Sequence, residues 1–362
     1  MQTNIDNYTE LFVEDIPLID VRAPIEFQRG AFPAAKNLPI MDDEQRKEVG
    51  IFYKKHGQGL AIQKGHELVK GEIREQRIAS WVEFYSKSPN AHLYCYRGGL
   101  RSKISQQWIS DAGKHVPIIH GGYKALRNFL LNELDLATEK YSFKLIGGKT
   151  GSAKTILINQ LNNGIDLESA AYHRGSTFGR HATEQSTQIN FENRLAIDFL
   201  KLKIKNIQNV ILEDEARTIG RVGIPKSLFE KMRTSPLIVI EEPFEARLKR
   251  LLQEYIVDML NEFLILNSDD PFNKFSNYLL NSLEKIQNRL GPVRHELAHN
   301  AMQQALSMHE KSNDLSGHYV WLKIILENYY DPMYEDQLKK REEHIVFRGN
   351  YEECKNYLEH TL

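Results

Sequence analysis

"FKLIGGKTGSAKT", from Phe143 to Thr155, joins an apolar run to a loop of glycines and small polar residues. The segment that follows, "ILINQL", has helical character. A strand, a glycine-rich loop and a helix in this order are typical of a P-loop, in which backbone N–H groups surround phosphate groups. The stretch therefore predicts an α/β domain with a phosphate-binding loop at the end of one strand.

Individual residues of this loop have separate predicted roles. Lys154 would neutralise phosphate oxygens, and the Thr155 hydroxyl would reach a magnesium ion if one is used. Ala153 stands where the motif usually has glycine, so the loop predicts phosphate binding and leaves nucleotide hydrolysis open. The predicted diphosphate-binding residues are Gly148, Thr150, Gly151, Ser152, Lys154 and Thr155.

The segments after the P-loop carry charges that suit the same site. The apolar run "VILEDE" ends on Glu213 and Asp214, and either one could lie on the metal or phosphate side. Two further stretches, "YHRGSTFGR" and "EDEARTIGRVGIP", combine glycines with cationic and hydroxyl groups suited to phosphates or an RNA backbone. The predicted contacts of this kind are Arg174, Ser176, Arg180, Arg217 and Arg221.

The first half of the chain has its own α/β rhythm, with a cysteine loop in "HLYCYRGGLRS". An apolar strand end leads to Cys95, and a helical segment begins near Ser102. A helix N-terminus with glycines and arginines favours an anion, and a thiol there is expected to ionise readily and act as a nucleophile. The predicted anion cradle comprises Arg97, Gly98, Gly99, Arg101 and Ser102.

These patterns predict an α/β protein with two parallel-sheet domains. We expect a rhodanese-like domain over residues 12–136, a P-loop NTPase-like domain over 140–245, and a helical extension over 246–362 packed on the P-loop domain. The junction lies near "DLATEKYS". Apolar residues recur at helical spacing after Pro243, which supports the extension.

Composition limits the class of protein. Hydrophobic residues make up 41% and charged residues 26%, as in ordinary globular proteins. The formal charge is −1, so a nucleic acid partner would need local basic patches. Two cysteines indicate a reducing compartment, and the polar N-terminus does not look like a signal peptide. We expect a cytoplasmic protein with no membrane segment, monomeric by default.

Residues of the first half resemble a rhodanese domain. "PLIDVRAPIEFQRGAFPAAKNLPI" looks like the opening of that domain, and "CYRGGLRS" lies where the family has its active loop. This resemblance implies that Cys95 carries a persulfide or its selenium counterpart. The spacing Cys95-x5-Arg101 is one residue longer than in common rhodaneses and also suits a tetrahedral phosphate, so the loop alone leaves sulfurtransferase and phosphatase open.

The order of motifs resembles the bacterial tRNA 2-selenouridine synthase family. A rhodanese-like loop, "GGKTGSAKT", "HRGSTFG" and "EDEARTIGRVGIP" follow one another over most of the first 245 residues. The resemblance implies a wobble 2-thiouridine of tRNA that is S-geranylated from geranyl diphosphate and then receives selenium from selenophosphate. The P-loop would hold the diphosphate, the loop of Cys95 would handle selenium, and no cofactor would be tightly bound.

Three other interpretations stay open at this point. One is a rhodanese-type sulfurtransferase fused to an ATP-dependent kinase or ATPase, and another is a non-catalytic tRNA-binding protein. The third follows from "HELAH", where His295 and His299 have zinc-protease spacing around Glu296. No third ligand is marked for it, and a polar helix face is the expected alternative.

Overall fold

The computed structural model describes residues 4–5, 7–266 and 269–361. The strands are β1 (Asn4–Ile5), β2 (Leu18–Asp20), β3 (Ala35–Asn37), β4 (His92–Tyr94), β5 (Ile118–Ile119), β6 (Ser142–Gly148), β7 (Gly164–Ile165), β8 (Asn209–Glu213), β9 (Thr218–Ile219), β10 (Val222–Gly223), β11 (Leu237–Ile240) and β12 (Ile345–Gly349). The α-helices are α1 (Tyr8–Val13), α2 (Pro24–Arg29), α3 (Asp43–Leu68), α4 (Glu72–Lys87), α5 (Leu100–Asp111), α6 (Gly122–Lys140), α7 (Lys154–Gln160), α8 (Leu167–Ala171), α9 (Gln188–Ile204), α10 (Lys226–Arg233), α11 (Phe244–Leu252), α12 (Met259–Ile265), α13 (Pro271–Glu284), α14 (Gln287–Leu290), α15 (Pro292–Ser312), α16 (His318–Ile325), α17 (Asp331–Lys339) and α18 (Tyr351–Thr361). Two π-helical segments, Gln253–Asp258 and Leu326–Tyr330, continue α11 and α16, and Glu342–His344 is a 3-10 turn.

The chain forms two compact units. Unit 1 contains the described residues up to Ala137 together with Thr187–Asn206, and unit 2 contains Thr138–Ser186 and the described residues from Ile207 onward. The predicted division of the chain differs from this one, because residues 187–206 fall inside the predicted P-loop domain of residues 140–245. The predicted junction at "DLATEKYS" is confirmed, because the boundary between Ala137 and Thr138 lies in this stretch, near the end of α6.

Unit 1 is built on a five-stranded parallel sheet in the order β1-β5-β4-β2-β3. The strands are short and fully buried in the middle of the sheet, as the continuous apolar runs predict for a parallel sheet covered on both faces. Trp81, Leu93 and Cys95 share one core cluster there. The predicted parallel α/β organisation is confirmed, and Cys95 follows the carboxyl end of a central strand.

Helix α9 belongs to unit 1 through specific polar contacts. Ala31 donates its N–H to Asn190 Oδ1 and accepts from Asn193 Nδ2, both at 2.8 Å. Asn193 is fully buried and also accepts a hydrogen bond of 2.6 Å from Arg127 Nη1. Because buried polar groups need partners, these bonds fix the helix to this unit. The sequence motifs of residues 187–206 gave no sign of that placement.

Unit 2 contains a second parallel sheet in the order β12-β11-β6-β8-β7. The P-loop strand β6 lies between β8, which ends on Glu213, and the fully buried β11. Residues 246–362 are mostly helical, as predicted, and strand β12 is an element that the prediction did not include. Its side chains alternate between less and more exposed positions, as expected for an edge strand.

The remaining helices of unit 2 enclose a separate apolar core. Residues from α11 to α17 bury a cluster around Tyr255, Phe275, Met302 and Trp321, and Phe178 from the arginine-rich stretch joins it. The predicted helical nature of this region is thus observed, with a π-helical segment in each of two long helices. Among the helices the structure describes, none is long and apolar enough to span a membrane.

Candidate functional site

Cys95 directly follows β4, at the carboxyl end of the parallel strands of unit 1. Cys95 is 3% exposed, and α5 begins five positions later, at Leu100. The loop between them contains Gly98 with φ +62°, a left-handed value that favours glycine. A strand end, a curled loop and a helix N-terminus therefore meet at the thiol, as the sequence predicted.

The first turn of α6 holds this loop in place. Tyr123 N–H donates to Cys95 O at 2.9 Å, and Lys124 N–H donates to Tyr96 O at 3.0 Å. Gly122 has φ +58°, and a Cβ there would lie 2.3 Å from Cys95 O. The cysteine loop is therefore fixed by backbone contacts that leave no room for a side chain at Gly122.

The polar residues of the predicted cradle have different environments. Ser102, in the first turn of α5, is fully buried, and its hydroxyl has no hydrogen-bond partner among the described residues. Arg97 is exposed. Arg101 is engaged by Glu26, with Nη1–Oε2 at 2.6 Å and Nη2–Oε1 at 3.1 Å. The Arg101 charge is thus shared with a carboxylate, which the sequence prediction did not include.

The contact with Arg101 affects the pKa of the Glu26 carboxylate. Burial alone would raise the pKa of Glu26, but the hydrogen bonds and charge of Arg101 outweigh it and leave this pKa below its usual value. The pair therefore persists as an ion pair at neutral pH and orients the guanidinium at the start of α5.

An apolar cavity of about 250 Å³ lies beside the cysteine loop in unit 1. Its walls come from α3 and α5 and from the segment around Met41, and Leu100 and Arg101 line the side next to the loop. Polar groups are few in this lining. The cavity suits a hydrocarbon group more than a charged one.

Cys354, the other cysteine, has a different environment. It is fully buried in unit 2, where its Sγ lies 3.5 Å from Val239 O and 3.4 Å from Gly349 O. Burial, and then the charge of Glu353, raise the pKa of its thiol to about 11. Cys354 is a packing residue, which leaves Cys95 as the thiol with a loop built around it.

The P-loop of unit 2 runs from Gly148 to the first turn of α7. Lys154 Nζ donates to Gly148 O at 3.0 Å, so the lysine closes back over the loop. Arg250 donates to Gly151 O from α11 and braces the tip. Ala153 has φ +66°, a left-handed conformation that explains why glycine is usual at this position. The predicted residues Gly148, Thr150, Gly151, Ser152, Lys154 and Thr155 all line one cavity of about 350 Å³.

Buried carboxylates lie behind the P-loop. Thr155 Oγ1 donates to Glu213 Oε1 at 2.7 Å and lies 3.2 Å from Glu168 Oε2. Glu168 N–H donates to Glu213 Oε2 at 3.0 Å. Burial raises the pKa of Glu213 and of Glu168, in each case with a further increase from a neighbouring carboxylate, and it raises the pKa of Glu215 to about 8. At neutral pH the group is therefore partly protonated.

The structure distinguishes the two acidic candidates that the sequence left open. Asp214 forms an ion pair with Arg341, which is 2% exposed and also donates to Met232 O at 3.2 Å. Glu213 instead contacts the P-loop threonine. Glu213 is thus the acid that contacts the P-loop threonine, whereas Asp214 lines the P-loop cavity and is held in an ion pair with the buried Arg341.

The stretch "YHRGSTFGR" forms a small hairpin in which His173 pairs with Arg180. Glu262 of α12 anchors it: Oε1 accepts from Arg174 Nη2 at 2.7 Å and lies 2.7 Å from His181 Nδ1, and Oε2 accepts from Ala182 N–H at 2.8 Å. Burial alone would raise the pKa of Glu262, but His181, Ala182 and Arg174 lower it to about 2. The carboxylate is therefore ionised and holds the hairpin at the P-loop cavity.

The hairpin places Ser176 and Arg180 in a larger cavity of unit 2, of about 920 Å³, which we call the basic cavity. Arg221 also lines it, and Arg221 Nη2 donates to Gln185 O at 2.9 Å. Arg174 lines the P-loop cavity, and Arg217 is exposed and lines neither. The sequence-based prediction did not include Glu168, Glu215 or Glu262 among the site residues. Of these, Glu215 could have been found, because it is the third acid of "EDE".

The "HELAH" segment lies on α15. His295 Nε2 is 3.6 Å from Glu284 Oε1, and its ring centre is 6.1 Å from that of His299. Within residues 4–5, 7–266 and 269–361, no three histidine, cysteine or acidic side chains are grouped to hold a metal. The segment thus has the contacts of a polar helix face.

Comparisons with known proteins give a consistent result. A sequence profile described as the tRNA 2-selenouridine synthase AAA domain matches residues 141–362. A protein of Photobacterium profundum named tRNA 2-selenouridine synthase is 46% identical over 98% of this chain and 98% of its own length. Proteins of the same name from Serratia proteamaculans and Pseudomonas aeruginosa are 48% and 46% identical, over 97% and 99% of this chain and 95% and 98% of their own lengths.

Proposed function

This chain belongs to the tRNA 2-selenouridine synthase family, and on that premise we propose that it converts a wobble 2-thiouridine of tRNA into 2-selenouridine in two steps. In the first step, the 2-thio sulfur attacks C1 of geranyl diphosphate, and diphosphate leaves. In the second step, the selenium of selenophosphate attacks C2 of the base and displaces the geranylthio group as geranylthiolate, and water then cleaves the Se–P bond and releases phosphate. Membership of the family supports the tRNA-modifying role. The identity of the two donors is the more specific part of the proposal.

The observation that carries the proposal is that each unit has a loop between the carboxyl end of a parallel strand and a helix N-terminus, a geometry that suits an anion. The loop in unit 1 contains Cys95, and the loop in unit 2 contains Lys154. The loop of Cys95 offers a thiol nucleophile and a helix N-terminus that suits a selenophosphate anion, whereas a lysine and backbone N–H groups stabilise a leaving diphosphate. Two chemically different loops fit two different steps.

In unit 2, the P-loop is proposed to hold the diphosphate of the prenyl donor. Lys154 and the N–H groups around Gly151 would neutralise the charge that develops as diphosphate leaves, which requires no nucleotide hydrolysis. Magnesium stays a prediction. Thr155 and Glu213 supply oxygen atoms of the kind magnesium prefers, and the ion would complete its coordination with diphosphate oxygens.

In unit 1, two features support a role in handling a prenylated nucleoside and selenium. The apolar cavity of about 250 Å³ next to Leu100 offers space for a hydrocarbon chain beside the loop of Cys95. The buried Ser102 hydroxyl, which lacks a protein partner among the described residues, is suited to an anion such as selenophosphate. The rhodanese resemblance, the cytoplasmic location and the monomeric state stay predictions.

The test uses the full chain with tRNA that carries 2-thiouridine. After incubation with geranyl diphosphate alone, mass spectrometry of the digested nucleosides is expected to find S-geranylated 2-thiouridine. After addition of selenophosphate, it is expected to find 2-selenouridine. Turnover of ATP and thiosulfate in place of these donors would support the sulfurtransferase and kinase alternative. Absence of both modified nucleosides would contradict the proposal.

A further inference from the structure

The basic cavity adjoins the P-loop cavity within unit 2. The two share part of their lining, including Ser176 of the arginine-rich hairpin and Tyr330 of the second π-helical segment. Its volume of about 920 Å³ is at the upper end of the range of about 300–1,000 Å³ for small-molecule sites. It thus has room for a ligand larger than a diphosphate, directly beside the loop that is proposed to hold one.

Positive charges dominate its lining. Arg180, Lys285 and Arg289 all line the cavity and are exposed. None of these three cations has a carboxylate oxygen within 4.0 Å in the part of the chain that the structure describes. The acidic residue of the lining is Glu184, which is 92% exposed. Cations without acidic partners around a concave surface indicate an anionic ligand.

The titration of nearby groups agrees with that charge pattern. Burial lowers the pKa of Lys285, and the positive charge of Arg180 lowers it further. Burial also lowers the pKa of His173, and His181, Arg180, Arg174 and Lys285 bring it to about 4. In both cases the neighbouring positive charges add to the effect of burial.

Two of these cations come from the helices after residue 246, to which sequence analysis gave no function. Lys285 ends α13, and Arg289 lies on α14. Arg289 Nη1 donates to the hydroxyl of Tyr329 in the second π-helical segment at 3.2 Å. The third cation, Arg180, lies in the hairpin, and its guanidinium is 5.5 Å from the centre of the Tyr278 ring. The helices and the hairpin thus present cations and aromatic rings to one space.

We propose that the basic cavity binds the single-stranded RNA segment that carries the target uridine, with Arg180, Lys285 and Arg289 contacting its phosphates. This inference rests on the proposed function and adds the residues that hold the tRNA. Phosphate groups draw arginine and lysine, and sequence-specific RNA sites mostly take unpaired segments. The neighbouring P-loop would then bring a prenyl donor close to the 2-thio group.

The decisive variant is the double substitution Lys285→Ala and Arg289→Ala. The matched control is Arg294→Ala with Lys311→Ala, which removes the same charges from exposed positions of α15 outside both cavities. Affinity for 2-thiouridine tRNA is measured for each at several salt concentrations, together with affinity for geranyl diphosphate. Retained binding of geranyl diphosphate shows that the P-loop part of unit 2 is still folded.

The double variant is expected to bind tRNA about tenfold or more weakly than the control at low salt. The slope of log affinity against log salt should also fall by about 1.4 to 1.8, since each phosphate contact contributes about 0.7 to 0.9. An affinity and a slope equal to those of the control would overturn the inference while leaving the proposed function intact. If the unaltered chain neither binds nor modifies tRNA, the proposed function itself fails.

Equal loss of geranyl diphosphate and tRNA binding in the double variant would also overturn the assignment, because it would mean that the cavity serves the donor. Arg289→Lys provides a further check. It keeps the charge and is expected to keep the salt slope, whereas a role of Arg289 limited to its hydrogen bond with Tyr329 would make it behave like Arg289→Ala.

Discussion

Thr155 Oγ1 donates a hydrogen bond of 2.7 Å to Glu213 Oε1 and so joins the first turn of α7 to the end of β8. The adjacent residue, Asp214, is paired with Arg341 instead. Neighbouring acids at the end of one strand therefore have different partners, the P-loop threonine for Glu213 and a buried arginine for Asp214.

Substitution of these two acids should have different effects. Glu213→Gln removes an acceptor for Glu168 N–H and a group that can ionise, so we expect the geranylation rate to fall about tenfold or more with a small change in stability. Asp214→Asn leaves the Arg341 charge without its partner, so we expect a loss of about 3 kcal/mol in the free energy of unfolding. Single-turnover rates and urea unfolding measure the two effects. The reverse pattern would contradict the assignment.

Lys154→Ala should block the first step. Without the ammonium group, the leaving diphosphate loses its main neutralising charge, and geranylation is expected to fall by about 100-fold or more. The matched control is Lys249→Ala, an exposed lysine of the same unit. Nucleoside mass spectrometry after incubation with geranyl diphosphate gives the measurement. Near-normal geranylation in Lys154→Ala would show that the P-loop does not serve this step.

Cys95→Ser should affect the second step, and Cys354→Ser is its matched control. With Cys95→Ser, we expect S-geranylated tRNA to accumulate and 2-selenouridine to be lost, because the serine hydroxyl is a much weaker nucleophile than the thiol at the proposed selenium-transfer site. Cys354→Ser should keep both steps, since that thiol lies in an apolar core cluster and donates to backbone oxygens. Both products are quantified in one digest. A stall of Cys95→Ser and Lys154→Ala at the same step would contradict the division of labour.

Ala153→Gly should stabilise the protein. Ala153 adopts φ +66°, where an L-residue is disfavoured by about 1–2 kcal/mol, and this exceeds the entropic cost of glycine of about 0.5–1 kcal/mol. We expect a net gain of about 0.5–1 kcal/mol in urea unfolding. Ala301→Gly, within helix α15, should have the opposite sign. A destabilised Ala153→Gly variant would mean that the methyl group contributes packing that outweighs the strain.

Glu215 should make stability depend on pH. Its pKa rises from 4.5 to about 8 in the folded state, so the folded chain holds more protons than the unfolded chain between these values. The free energy of unfolding should therefore fall as the pH rises from about 4.5 to about 8. Glu215→Gln cannot ionise and should be more stable than the unaltered chain by about 1 kcal/mol or more above pH 8. Urea midpoints on either side of this window test it, and parallel pH profiles for the two proteins would rule it out.

The sequence predicted those parts of the site that are contiguous along the chain. The loops of Cys95 and Lys154 both lie between a strand and a helix, because local glycine patterns and apolar periodicity determine that geometry. For the same reason, both parallel sheets were expected. The distribution of α and β elements in the two halves therefore follows from short-range patterns.

The rest of the site depends on distant contacts. Asp214 and Arg341 meet across 127 positions of sequence, and Glu262 reaches Arg174 across 88. Neither pair has a local pattern that would predict it. Lys285 and Arg289 likewise read as solvent-exposed helix residues until the fold brings them to the basic cavity. A single sequence read by itself cannot reveal such pairs, because only three-dimensional packing selects them.

The placement of α9 in unit 1 has a consequence for how the protein is made. A ribosome releases the sheet of unit 1 and the whole P-loop before it releases residues 187–206, so unit 1 stays incomplete until its last helix emerges. Until then, Ala31 lacks the asparagine partners that α9 supplies. A gene fragment that stops near residue 137 would leave this stage permanent. The two units are therefore inherited and synthesised together, although each contains a complete parallel sheet.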